Sequence, residues 1–162
     1  MRIREAALED FEAIWPIFYE IVSEGKTYSF SRDTSKEEAR KLWMEVPRVT
    51  YVIEDNCEIV GTYYIKTNQL GSGSHICNCG YMVSSKARGK GLATQMCRHS
   101  QETAVQLGYK GMQFNFVVST NTTAINLWEK LGYKIVGRLP KACSHPMEGY
   151  VDALIMYKWF EE

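Results

Sequence analysis

The stretch Val83-Ser84-Ser85-Lys86-Ala87-Arg88-Gly89-Lys90-Gly91-Leu92-Ala93-Thr94 constrains this chain more than any other. A strand-like apolar run ends at Val83, a basic turn with two glycines follows, and a helical stripe begins at Leu92. A helix N-terminus presents unpaired backbone N–H groups and a partial positive charge, so it is a ready site for phosphate. Gly89 and Gly91 let the backbone approach such a group closely, while Lys86, Arg88 and Lys90 add charge. The turn is not a Walker loop, because the Gly-Lys-Ser/Thr ending is missing, and not a dinucleotide fingerprint, because the third glycine is missing. Taken alone, it also fits a solvated basic turn before an ordinary helix.

The charge distribution favours the phosphate reading. The 19 basic and 19 acidic residues cancel, but residues 1–58 carry a net −5, residues 59–147 a net +8 and residues 148–162 a net −3. A neutral total argues against general nucleic-acid binding, and the segregation suggests a local anionic ligand. Within the positive segment, Lys86, Arg88, Lys90 and Arg98 cluster around one turn and not along an aromatic-lined face, which again speaks against nucleic acid. At 45% hydrophobic and 23% charged residues the chain reads as one globular domain over 1–162, not as a disordered chain. Its apolar runs are too short to cross a bilayer and Met1-Arg2-Ile3-Arg4-Glu5 opens no apolar signal region, so a cytoplasmic protein without membrane partners is expected. The five cysteines do not suit a disulfide framework, and Cys77 and Cys79 lack zinc-knuckle spacing, so no metal site is expected.

Periodicity supplies the frame. Residues 2–6 read as a strand and Leu8 to Ser23 as an amphipathic helix that Pro16 kinks or breaks in its first turn and Gly25 ends. Ser35-Lys36-Glu37-Glu38 is a capping box opening a second helix that stops before Pro47. Val49–Glu54, Glu58–Lys66 and Ile76–Val83 read as strands, the first two joined by a hairpin at Asp55-Asn56-Cys57. A helix over Leu92–Leu107, a strand over Met112–Val118, a helix over Thr122–Leu131, and strands over Tyr133–Leu139 and Val151–Phe160 complete the order β-α-α-β-β-β-α-β-α-β-β. The fold class is α/β (α+β): a single mixed, largely antiparallel sheet flanked by helices.

Arg88-Gly89-Lys90-Gly91-Leu92-Ala93 resembles the acyl-CoA-binding motif of the GCN5-related N-acetyltransferases, and Asn121-Thr122-Thr123-Ala124-Ile125-Asn126-Leu127-Trp128-Glu129-Lys130-Leu131-Gly132-Tyr133 resembles that family's second signature. The element order matches as well, and the tail Gly149 to Tyr157 is similar to small-molecule members, including the phosphinothricin-type branch. The resemblance implies the acyl-CoA N-acyltransferase fold and acetyl-CoA as co-substrate. Its pyrophosphate would lie on the backbone of Arg88, Gly89, Lys90, Gly91, Leu92 and Ala93 with the Thr94 hydroxyl, its pantetheine arm along Met82 and Val83, and Asn121 and Asn126 on the cofactor side of the following helix. Asn121 reads equally well as that helix's N-cap.

The implied activity is N-acetylation of a primary amine of a small molecule or amino acid, by direct attack in a ternary complex. Transfer to a peptide, or acyl-CoA binding without catalysis, are the alternatives. Such a reaction needs an oxyanion donor, a base for the ammonium proton and help for the departing thiolate. The main-chain N–H of Met82 or Val83 is the oxyanion candidate. Where relatives carry a tyrosine that protonates the sulfur, this chain has Trp128, whose indole N–H can donate a hydrogen bond but cannot act as a proton acid; either the thiolate leaves without full proton transfer, since a thiol's pKa is about 8.5, or another tyrosine such as Tyr133 or Tyr150 substitutes in space. For the base, Glu20, Glu24, Asp152, His145 and a water chain stay open. Thr27, Tyr28 and Tyr150 are the substrate candidates, and a homodimer is left open.

Overall fold

Turn chemistry and alternation build the first half of the sheet. In the computed structural model, which describes residues 1–161, β1 (Arg2–Glu5), β2 (Val49–Asp55), β3 (Glu58–Thr67) and β4 (Ile76–Val83) pair antiparallel in sequence order. Asn56 and Cys57 form the two-residue link between β2 and β3 with positive φ at both, 51° and 65°, the geometry that matches strand twist in a tight hairpin. The second half contains β5 (Gly111–Val118), β6 (Lys134–His145) and β7 (Gly149–Trp159), giving the order β1-β2-β3-β4-β5-β7-β6. β4 and β5 are parallel and the other neighbours antiparallel, so the sheet is mixed and largely antiparallel, as expected.

Helices cover both faces. α1 (Phe11–Glu24) and α2 (Lys36–Arg40, continuing as a wide turn over Lys41–Glu45) pack on one face with Phe18, Trp43, Tyr64 and Met82. α3 (Leu92–Gln106) and α4 (Thr122–Lys130) pack on the other with Tyr63, Cys97, Met112, Phe114 and Tyr133. The predicted stops are there: Gly25 ends α1 at φ 69°, where Arg32 lies across it and donates Nε to the Ser23 carbonyl at 2.8 Å. Ser35 and Glu38 form the predicted capping box, and the irregular first turn is a tight one over Leu8–Asp10, with Pro16 carried inside α1. Trp43 is fully buried and donates Nε1 to Thr62 Oγ1 at 3.0 Å; truncating a buried aromatic of this kind costs about 3–5 kcal/mol.

Most boundaries shift by one to three residues, and the largest difference is in β6. β6 runs to His145, not to Leu139. A proline would break a central strand, but β6 is the edge of the sheet, where the missing N–H of Pro140 is tolerated. The strand passes Pro140 through a bulge between Leu139 and Cys143, held by Asp152, whose carboxylate accepts from the Lys141 N–H at 2.9 Å and from Arg138 at 2.7 Å.

Under α3, the buried Tyr63 hydroxyl shares a 2.6 Å hydrogen bond with His99 Nδ1, and Tyr51 stacks on Tyr63 at 5.1 Å. Burial lowers the His99 pKa, with Glu102 opposing in part. The folded state therefore binds the proton more weakly than the unfolded chain, so stability is intact above the unfolded pKa near 6.5 and declines as pH falls below it. Thermal melts between pH 7.5 and 5.5 are expected to show a steeper fall in Tm for the wild type than for His99→Gln, whose side chain does not titrate.

Candidate active site

Neighbouring parallel strands normally pair along their whole length. β4 and β5 pair only at Ile76 with Gly111 and Cys77 with Met112, then separate. The next residue, Asn78, is 6% exposed and spans the start of the gap: its Nδ2 donates to the Gln113 carbonyl at 2.9 Å and its Oδ1 accepts from the Tyr64 hydroxyl at 3.2 Å. β5 then bulges between Phe114 and Val117, widening the opening. The result is a cavity of about 600 Å³ lined from both faces of the sheet. Tyr28, Phe30, Tyr64 and Lys66 line it on the α1 side, and Ala93, Ala124, Leu127 and Trp128 on the α3 and α4 side. It is a passage through the sheet.

Ladder geometry decides which backbone groups face the passage. The Ser84 N–H donates to the Val60 carbonyl at 2.8 Å, and the β3–β4 register runs without a shift. In an antiparallel pair, alternate residues direct both N–H and C=O to the same partner. Ser84, Met82 and Gly80 are therefore spent on β3, while Val83 and Tyr81 turn toward the gap. The Tyr81 carbonyl accepts from the Tyr28 hydroxyl at 2.7 Å across that edge. This corrects the sequence-based choice: Val83 can present its N–H to a ligand in the passage, and Met82 cannot, its side chain also being buried on the α1 side.

At the α3 mouth the basic turn takes the form the sequence suggests. A single tight turn over Ser85–Ala87 leads to extended Arg88, and Gly89 and Gly91 are left-handed at φ 79° and 74° with nothing within 4 Å of where a Cβ would stand. Gly91 is the N-cap of α3 and supplies no side-chain cap, so the first N–H groups of a 15-residue helix point out of its end. Arg88 and Ala93 line the passage, Leu92 sends its side chain into the core, and Thr94 lies half-buried outside the lining. Lys90 instead approaches Asp55 of the β2–β3 hairpin at 3.4 Å. Asn121 lines the passage and also caps α4, its Oδ1 accepting from the Ala124 N–H at 3.3 Å; Asn126 is exposed and outside the lining.

The remaining candidates separate cleanly. Trp128 is buried in the wall, 5.1 Å from both Tyr81 and Phe114. Tyr133 lies behind that wall, its hydroxyl 2.8 Å from Met112 Sδ, and Tyr150 is 73% exposed on the β6–β7 hairpin opposite Ser144, so neither tyrosine reaches the passage to replace the missing acid. Asp152 is committed to the β6 bulge, where the Lys141 N–H and the Arg138 guanidinium hold its carboxyl below the usual range. His145 accepts from the N–H groups of Met147 and Glu148 in its own turn. Glu20 is outside the lining, which leaves Glu24 as the one carboxylate among the lining residues, with no histidine beside it. Thr27 and Tyr28 are both brought to the passage.

Sequence reasoning missed Tyr64, Lys66 and Gly80. A glycine inside a strand was the available signal, since it marks close approach of another group. A Cβ on Gly80 would stand 2.8 to 3.0 Å from the Tyr64 ring, which is backed edge-on by Trp43 at 4.8 Å. Gly80→Ala is expected to cost about 1–3 kcal/mol, read from urea unfolding, because the ring cannot retreat without moving Trp43.

Among the described residues no group of three or more His, Cys, Asp or Glu is placed to hold a metal ion, and no helix is long and apolar enough to cross a membrane. Comparison with known proteins gives a family. Residues 11–133 match the model of the acetyltransferase (GNAT) family. N-acetyltransferase aca1 of Schizosaccharomyces pombe is 38% identical over 107 residues, 65% of this chain and 51% of that protein, so the chain spans about half the length of this curated relative. A GCN5-related N-acetyltransferase from Kribbella flavida is 36% identical and superposes with a TM-score of 0.93 over 98% of this chain and 97% of that one. A phosphinothricin acetyltransferase from Sinorhizobium meliloti in complex with acetyl-CoA, 18% identical, shares the fold with a TM-score of 0.87 over 99% of this chain and 89% of that one.

Proposed function

The chain belongs to the acetyltransferase (GNAT) family, and from that premise we propose that it forms an N-acetyltransferase domain moving an acetyl group from acetyl-CoA to a primary amine of a small molecule or amino acid. The observation that carries this reading is the passage through the sheet, with a phosphate turn at one mouth and an aromatic, partly charged chamber at the other. Two reactants that enter from opposite faces meet in the gap without sharing a door. The turn fits a pyrophosphate, because Gly89 and Gly91 leave open the space that a Cβ would fill. Arg88, the main-chain N–H groups of Gly89 to Thr94, and the amide of Asn121 would hold the cofactor.

Acetyl-CoA supplies a thioester carbonyl. The Val83 N–H, aimed into the gap, hydrogen-bonds the oxygen that gains charge as the amine attacks. Glu24 removes the ammonium proton, directly or through one water, since the lining offers no other carboxylate and no histidine. Trp128 closes the wall and keeps water from the sulfur, and the thiolate leaves unprotonated, tolerable for a thiol of pKa about 8.5. The Tyr28 contact to Tyr81 draws the α1–α2 segment down over the gap, which favours a small acceptor over an extended peptide. Trp128 in place of an acid also favours a second reading, an acyl-CoA-binding protein without turnover, and release of free thiol in the presence of amines decides between them.

Acetyl-CoA at a hundredfold excess over its Kd is expected to stabilise the fold by about 2.7 kcal/mol and raise Tm accordingly. Gly91→Asp, which puts a carboxylate into the cradle, is expected to remove that shift; because Gly91 is left-handed at φ 74°, the variant also loses about 1–2 kcal/mol of unliganded stability, so the shift is read against its own unliganded Tm, and an undiminished shift refutes the cradle. Glu24→Gln is expected to lower kcat by about 10²-fold with the acetyl-CoA shift retained. An unchanged kcat assigns the proton to water.

A further inference from the structure

The acceptor end of the passage has an uneven supply of polar groups. Four are already committed within the protein. Tyr28 donates to the Tyr81 carbonyl, Tyr64 to Asn78, and Asn78 to the Gln113 carbonyl. Asn115 donates to Asn68 Oδ1 at 2.7 Å and accepts from Gln113 at 2.9 Å. What is left for a ligand is Thr27, Ser29, Lys26, Lys66 and Glu24.

Their chemistry is specific. Thr27 Oγ1 is buried, lines the passage and has no hydrogen-bond partner, a condition rare for a buried hydroxyl unless a ligand completes it. Lys66 stands on β3 with its ammonium over the Tyr64 ring, 5.4 Å from the centroid, and Lys26 follows the end of α1. Neither lysine is ion-paired among the described residues, and neither is Glu24. If Glu24 faces the reacting amine, two ammonium groups and an orphan hydroxyl remain with no anion to meet. A half-enclosed, aromatic-walled site strengthens such charges relative to open water.

We propose that the acceptor is an amine that also bears a carboxylate or comparable oxyanion, held by Lys66, Lys26 and the Thr27 hydroxyl while Glu24 faces its nitrogen. This rests on the acetyltransferase reading above and deepens it. Polyamines would bring further positive charge against the two lysines, and a plain alkylamine would leave them and Thr27 unmatched.

The test uses the full chain with saturating acetyl-CoA and thiol release as readout, comparing leucine with leucinamide, isoamylamine and spermidine. Leucine is expected to exceed each of the others in kcat/KM by about tenfold or more, since a site that hydrogen-bonds a group discriminates against analogues lacking it. Lys66→Met, which keeps the apolar stem, is expected to erase most of that preference through KM with kcat little changed. Thr27→Val is expected to raise KM for leucine with no loss of Tm, because Oγ1 has no protein partner to lose. Equal or better turnover of isoamylamine or spermidine by the wild type overturns the oxyanion proposal while leaving acetyl transfer intact. If acetyl-CoA binds but no amine releases thiol, the acetyltransferase reading fails instead, and calorimetric titration of leucine against isoamylamine into wild type and Lys66→Met reads the site directly. Equal binding by both proteins then overturns the proposal.

Discussion

Two residue pairs hold β4 to β5, and the absence of a third organises the molecule. Parallel strands need a crossover helix, so α3 must lie between them, and its N-terminus must sit at the end of β4 where the strands have parted. That single arrangement brings the phosphate turn, the backbone edge of β4 and the chamber under α1 into one continuous space. Asn78 makes the transition clean by replacing the next ladder bond with a side-chain bond, so the strands separate without leaving the Gln113 carbonyl buried and unpaired.

Electrostatics divides the labour along the same axis. The positive middle of the sequence supplies the turn and α3, which suits a polyanion, while the acidic N-terminal segment supplies Glu24 at the opposite mouth. Not every cation of the turn is free: Lys90 leans toward Asp55, so the attraction there comes chiefly from Arg88, Lys86 and the helix end itself. Carboxylates elsewhere have structural duties. Asp152 is held ionised by the bulge it stabilises, which is why a residue that reads as a candidate base belongs to the edge of the sheet.

What the sequence made legible was local. Glycine at a helix end, Ser35 three residues before Glu38, and a glycine-rich turn before an apolar stripe each act within a few residues, and each folds as read. The order of elements follows from them. The backbone parity of Met82 and Val83 was not legible, because it depends on the register with β3, which hydrogen-bonding partners set and side-chain patterns do not reveal. The length of β6 escaped for a related reason: Pro140 ends a central strand but not an edge strand, and edge position is a property of the whole sheet. Tyr64 and Lys66 were hidden because a strand running through a core looks the same whether its face meets packing or an opening.

The Tyr28 hydroxyl on the Tyr81 carbonyl joins the wall that shapes one binding site to the strand edge that serves the other. A ligand on either side that shifts this contact changes the free energy of the other site, and thermodynamic linkage makes the effect mutual. If the passage takes two reactants, as proposed, their affinities are coupled through this one hydrogen bond and belong to the pair rather than to either alone.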